Sequence, residues 1–155
     1  MSPASRIARA VPLPSIAQPT GPTAIYPPDP IAGRIFAATG TVFEAESEDE
    51  FEAICASTAT IAASYAFLDG IASWLSRNGV PESKAREYIS RVFWGLTRNA
   101  VEAPEETFQS PSNHHATAGG TNEQFLKHMV ENGFLESTSR GLDAVLHRIK
   151  AVARE

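Results

Sequence analysis

The sequence predicts a mainly α-helical fold, a helical bundle preceded by a short α/β segment, and three observations carry that expectation. Eight of the eleven prolines fall within the first thirty residues, which excludes helix from most of that stretch and favours extended chain with turns. From Ser47 onward, apolar residues recur at three- and four-residue spacing in one segment after another. Glycine, asparagine and proline separate those segments, as at Asn78-Gly79-Val80-Pro81 and Asn132-Gly133, where one helix is expected to stop and the next to begin. The expected division is residues 1–46 for the α/β part and 47–155 for the helical part.

In the first part, Ile7-Ala8-Arg9-Ala10-Val11 and Thr23-Ala24-Ile25-Tyr26 are short strands, ended by Pro12 and by Pro27-Pro28. Asp29 and Pro30 are an N-cap and a first helical residue, opening a helix that is expected to bury Ile31, Ile35 and Phe36 and to stop at Gly40. Thr41 to Glu46 alternates as a strand does. Ser47-x-x-Glu50 is a capping box, and Glu48 and Asp49 add negative charge at the positive end of the helix dipole. Capping therefore accounts for the acidic run Glu44 to Glu52 better than paired catalytic carboxylates do, since nothing beside it supplies a metal or a substrate.

The four small residues Ser57-Thr58-Ala59-Thr60 either continue that helix or contact a ligand. Ile61 to Leu75 is apolar around nearly its whole circumference, which predicts a helix buried on all sides, with a partner subunit supplying the second surface. Ala85, Tyr88, Ile89, Val92, Phe93 and Leu96 form one stripe expected to pack against the Tyr65–Trp74 helix, and Pro104 ends that segment. Glu105 to Ala116 reads as a polar connection. Its His114-His115 pair lacks a third ligand at metal spacing, so no metal site is expected. Leu142, Val145, Leu146, Ile149 and Val152 give a final amphipathic helix.

Composition excludes several classes of function. A net charge of −5 argues against an electrostatic nucleic-acid binder. No apolar run is expected to reach the ~18 residues of a membrane span, and the first residues lack the apolar length of a secretory signal. Cys55, the sole cysteine, excludes a disulfide framework, reads as a buried inert thiol and suits a reducing cytoplasm.

Thr117-Ala118-Gly119-Gly120-Thr121-Asn122 runs directly into Glu123 to Val130, with Phe125, Leu126, Met129 and Val130 at helical spacing. Two glycines before a helix start, with threonine hydroxyls on either side, form a turn able to hold a carboxylate or another anion. The turn, its helix and the Asn132-Gly133-Phe134 end resemble the Ser-Pro-Gly-Gly-Thr-Thr … Gly-Gly-Phe segment of the pyrroline-5-carboxylate reductase family. Arg9-Ala10-Val11-Pro12-Leu13-Pro14 resembles that family's Arg-Ala-Met-Pro-Asn-x-Pro segment, so the resemblance runs from about Arg6 to Ile149.

The resemblance implies that residues 47–155 are a helical dimerisation and substrate-binding domain of the 6-phosphogluconate-dehydrogenase C-terminal kind, and that residues 1–46 are the end of a Rossmann-like, dinucleotide-binding sheet. It implies substrate contacts from Thr117, Gly119, Gly120, Thr121 and Asn122, helped by Ser57, Thr58 and Thr60, and cofactor contacts near Arg9 and Pro12. The reaction implied is hydride transfer from NAD(P)H to the C=N bond of 1-pyrroline-5-carboxylate in proline biosynthesis, by a cytoplasmic homodimer or higher oligomer. Its small-molecule partners would be cyclic imino and amino acids. Ala118, Asn122 and Leu13 depart from the family pattern, and Thr58, Thr60 and Ile61 replace the glycines and proline of its Ser-Gly-Ser-Gly-Pro-Ala-Tyr loop. No Gly-x-Gly-x-x-Gly occurs, so the chain alone is expected to bind no cofactor. The alternative is a non-catalytic helical dimerisation module from a truncated or degenerate paralogue.

Overall fold

A computed structural model describes residues 6–14 and 21–152. Along the chain run β1 (Arg9–Pro12), β2 (Gly21–Tyr26), α1 (Pro30–Ala37), β3 (Gly40–Glu44), α2 (Glu48–Ser57), α3 (Thr60–Arg77), α4 (Glu82–Glu102), α5 (Gln109–His115), α6 (Thr121–Glu131) and α7 (Phe134–Val152). This is the mainly helical class with a short α/β start. The contacts divide into two units, one of Met1–Ala59 with Arg140–Glu155, the other of Thr60–Ser139.

In the first unit the strands lie in the order β1-β2-β3, with β1 antiparallel to β2 and β2 parallel to β3. A parallel pair needs a crossover, and α1 supplies it. Asp29 starts α1 as expected: one carboxylate oxygen accepts the N–H groups of Ile31 and Ala32, both at 2.9 Å. These bonds, that of Ala32 foremost, with the nearby Arg6 guanidinium, hold its carboxyl below the usual range. Gly40 opens β3 at φ +147°, and a Cβ there would lie 2.1 Å from the Gly21 carbonyl oxygen, so the two strands close only over a glycine. The expected burial on α1 is not met. Ile31 is 56% and Ile35 60% exposed, and Phe36 is half-buried, because a sheet of three short strands offers the helix little apolar surface.

The core of this unit is Ala24, Ala45 and Phe51, with Val11, Tyr26, Ile54 and Cys55 packed against it. Burial pushes the Cys55 thiol pKa up, as an unreactive core cysteine requires, although the residue is half-buried rather than enclosed. The Ser47 hydroxyl accepts the Glu50 N–H at 3.2 Å, and the Glu50 carboxylate reaches back to the Glu46 N–H at 2.8 Å. Reciprocal capping thus uses the centre of the acidic run. From the far end of the sequence, the Lys150 ammonium donates to Asp49 at 2.6 Å.

In the second unit α3 and α4 pack on one another, joined through Gly79 at φ +93°. Phe67 sits edge-on to Phe93 with centroids 6.0 Å apart, and Ala85 and Ile89 are buried in the same layer. Among the described residues the Ile61–Leu75 helix is not enclosed: no residue of α3 is buried, and Tyr65 and Trp74 are 71% and 56% exposed. The stretch expected to be a polar connection contains a helix, α5. Pro111 is no obstacle to it, because it sits in the first turn, where no backbone donor is required. Gly133, at φ +73°, stops α6.

The absence of a membrane-length apolar run also needs correcting. Glu48–Arg77 is long and apolar enough to cross a membrane by length and composition, with a mean hydropathy of 1.3 in its best window. The small polar residues within it had disguised that length, and a turn at Thr58-Ala59 divides it into α2 and α3.

Candidate functional site

The glycine turn lies between α5 and α6, within the second unit. Gly119 takes φ +74°, a conformation that L side chains rarely adopt. Gly120 is the N-cap of α6 in extended conformation, and its N–H donates to the Thr117 carbonyl at 2.8 Å, closing the turn. Since glycine has no side chain, the start of α6 has no side-chain cap. The first N–H groups of the helix, at Thr121, Asn122 and Glu123, lie at the positive end of its dipole, where an anion is favoured.

Two features of the turn were hidden in the sequence. The Glu123 carboxylate folds back to accept the Gly119 N–H at 2.7 Å, so an internal carboxylate already occupies one donor of the turn. The signal for it was Glu123 standing three residues after the N-cap, the spacing of a capping box. A Cβ on Gly120 would stand 2.7 Å from the Thr117 hydroxyl and 2.9 Å from the Thr117 carbonyl oxygen. The second glycine is therefore required by the close approach of the chain to itself.

The residues of the turn face two clefts. Asn122 lines one of about 760 Å³, together with Val92 and Leu96 of α4, Phe108, and Pro111 and His115 of α5. Gly119 and Gly120 line another of about 550 Å³ with Glu123, Leu126, Lys127 and Val130. Sequence reasoning missed Phe108, Pro111 and His115, because their placement depends on α5.

The remaining expected contacts belong to other elements. Ser57 and Thr58 belong to the first unit, at the end of α2, and their hydroxyls donate to the carbonyls of Ile54 and Cys55, each at 2.7 Å. Thr60 is the first residue of α3, in the second unit, and its carbonyl accepts the Ser64 hydroxyl at 2.9 Å. Arg9 and Pro12 lie in β1, where Arg9 bonds Glu48 at 2.7 Å and its guanidinium stands 4.9 Å from the centre of the Phe51 ring. Among the described residues no three His, Cys, Asp or Glu side chains are placed to share a metal.

The sequence matches the family model for pyrroline-5-carboxylate reductase dimerisation over residues 48–152. Comparison with curated proteins gives no match. Among solved structures, a pyrroline-5-carboxylate reductase from Coxiella burnetii superposes with a TM-score of 0.82 at 25% identity, over 95% of this chain and 57% of that one. A 1-pyrroline-5-carboxylate reductase from Streptococcus pyogenes gives 0.81 at 19% identity, over 93% and 58%. A Plasmodium falciparum pyrroline carboxylate reductase with NADP bound gives 0.77 at 17%, over 93% and 59%. The chain therefore spans less than two thirds of the length of these structures, and the two more distant ones share its fold.

Proposed function

The chain belongs to the pyrroline-5-carboxylate reductase family, and from that premise we propose that it is the substrate-holding, dimer-forming C-terminal part of an NAD(P)H-dependent imine reductase. The observation that carries this reading is the uncapped start of α6 behind Gly119-Gly120, at the position that the family resemblance gives to substrate. The cofactor, when bound, supplies the hydride that reduces the C=N bond of a cyclic imine such as 1-pyrroline-5-carboxylate to give proline.

The chain's own residues bind and orient. The carboxylate of the imine takes the N–H groups of Thr121 and Asn122 and displaces Glu123 from the Gly119 N–H, while the hydroxyls of Thr117 and Thr121 complete its shell. The Asn122 amide, at the edge of its cleft, pairs with the polar side of the ring. Fixing the imine in this way is the protein's share of the catalysis. The described residues do not fit the cofactor's pyrophosphate. Arg9 pairs with Glu48 in an exposed position beside the Phe51 ring, and no glycine-rich phosphate loop occurs in the sequence.

A second reading, a dimerisation module without catalysis, draws support from the Glu123 carboxylate already seated on the turn. Titration with L-proline, followed by amide chemical shifts, separates the two. Substrate holding predicts shifts centred on Thr117 to Glu123 with an affinity on the order of millimolar, as befits so small a ligand. Asn122→Ala should weaken binding by about 1 kcal/mol, the net worth of one hydrogen bond. Glu123→Gln should strengthen it by removing the competing charge. Shifts elsewhere, or none, favour the non-catalytic module, and NADPH-dependent turnover by the chain alone would overturn the assignment of the cofactor site to residues outside it.

A further inference from the structure

We infer that Glu123 selects the substrate at the glycine turn: its carboxylate yields the Gly119 N–H to a ligand carboxylate and takes the protonated nitrogen carried by the same ligand carbon. The site then favours α-iminium and α-ammonium carboxylates over acids that lack this charge. The inference rests on the substrate reading of the turn. Its starting point is the bond in which the Glu123 Oε2 accepts the Gly119 N–H at 2.7 Å, which marks where a carboxylate oxygen fits. The neighbouring N–H, that of Gly120, is already given to the Thr117 carbonyl at 2.8 Å. A ligand carboxylate that joins the turn at Gly119 therefore arrives where the Glu123 carboxylate sits, and one of the two anions has to give way.

Glu123 gives way without leaving the positive end of the helix. It stands in the first turn of α6, three residues after the N-cap Gly120, so rotation about its side-chain bonds moves the carboxylate while the helix dipole still favours its charge. What it loses is a neutral donor. A cyclic imino acid replaces that donor with a charged one, since the ring nitrogen is bonded to the carbon that bears the carboxylate and comes in beside the displaced group. Each carboxylate then has a donor, and the bond between opposite charges is the stronger of the two. The turn from Thr117 to Asn122 contains no ionisable side chain, and the next cation along α6, Lys127, has Glu131 as its neighbour at 3.8 Å. A ligand without the nitrogen thus brings a second negative charge to Glu123 and nothing to offset it. With the nitrogen present, the carboxylate beside it also favours the protonated C=N, the form that accepts hydride more readily.

The test compares L-proline with cyclopentanecarboxylate, which has the same ring and carboxylate but a methylene group in place of the charged nitrogen. Each is titrated into the full chain near neutral pH and followed by the amide chemical shifts of Thr117 to Glu123. The chain is expected to prefer proline by about tenfold, the worth of one hydrogen bond between charged partners. Glu123→Gln and Glu123→Ala free the Gly119 N–H for both ligands and remove the counter-charge that proline alone uses. Both replacements suit a helix, so the fold is kept. Both ligands then gain affinity, cyclopentanecarboxylate by about tenfold more than proline, and the preference shrinks to within about twofold. Shifts at the turn with equal affinity for the two ligands in the native chain, or a tenfold preference that survives both substitutions, overturn this inference alone and leave the carboxylate at the turn. If proline leaves Thr117 to Glu123 unshifted, the substrate reading falls and this inference with it.

Discussion

Gly119→Ala and Gly120→Ala test different parts of the turn that feeds α6, and the structure ranks them. At Gly120 the backbone, with φ −82° and ψ 161°, suits any residue, yet a new Cβ would lie 2.7 Å from the Thr117 hydroxyl and 2.9 Å from the Thr117 carbonyl oxygen. The hydroxyl can rotate away. The carbonyl cannot, because it accepts the Gly120 N–H at 2.8 Å. Loss of that bond costs about 1 kcal/mol and the forced shift about 1 kcal/mol more, against roughly 0.4–1 kcal/mol regained from a stiffer unfolded chain. The expected net is about 1–2 kcal/mol. At Gly119 a Cβ meets nothing within 4 Å, but φ is +74°. The left-handed conformation costs about 1–2 kcal/mol before the same recovery, leaving about 0.5–1 kcal/mol, and Gly119→Asn should cost less. Urea denaturation with an unchanged m-value measures all three. Adding Thr117→Ala to Gly120→Ala should restore little, since the carbonyl remains. A neutral Gly120→Ala, a reversed order, or full rescue by Thr117→Ala would refute the reasoning.

Two further outcomes follow from the surface and the caps. Light scattering at micromolar concentration should give about twice the monomer mass, and Tyr88→Lys or Trp94→Lys, on side chains 61% and 59% exposed, should yield a folded monomer; a native chain that is monomeric and stable on dilution contradicts this. Asp29 has a folded pKa below its ordinary 3.8, so its stabilisation is fully present above that value and is lost as pH falls through the lower, folded one. Asp29→Asn, which keeps a capping oxygen, should flatten the acid limb of the stability curve; an unchanged limb would remove the cap from the account.

Local chemistry was legible in the sequence and shared surfaces were not. Asp29-Pro30, Ser47-x-x-Glu50, Gly79 and Gly133 each act within a turn of chain, and each stands where its pattern placed it. Ile31 and Ile35 failed as core residues because burial depends on what faces a helix, and the sheet facing α1 has three strands. The same reason leaves α3 uncovered. At the candidate site the turn was readable from its two glycines, whereas the cleft was not. Its wall depends on Phe108 and α5, a helix that Ser110, Pro111 and Asn113 argue against in isolation.

The division of α7 between the two units bears on the order in which a growing chain can fold. Residues 60–139 are contiguous, so everything that unit contacts within itself has left the ribosome once Ser139 has emerged. The other unit draws on both ends of the sequence, and its bond from Lys150 to Asp49 closes a separation of 101 residues. The strands and α2, though synthesised before α3 to α6, therefore wait for the end of α7 before their unit is complete. Throughout that interval the unit that holds the sheet stands incomplete, which makes it the later of the two to be safe from misassembly.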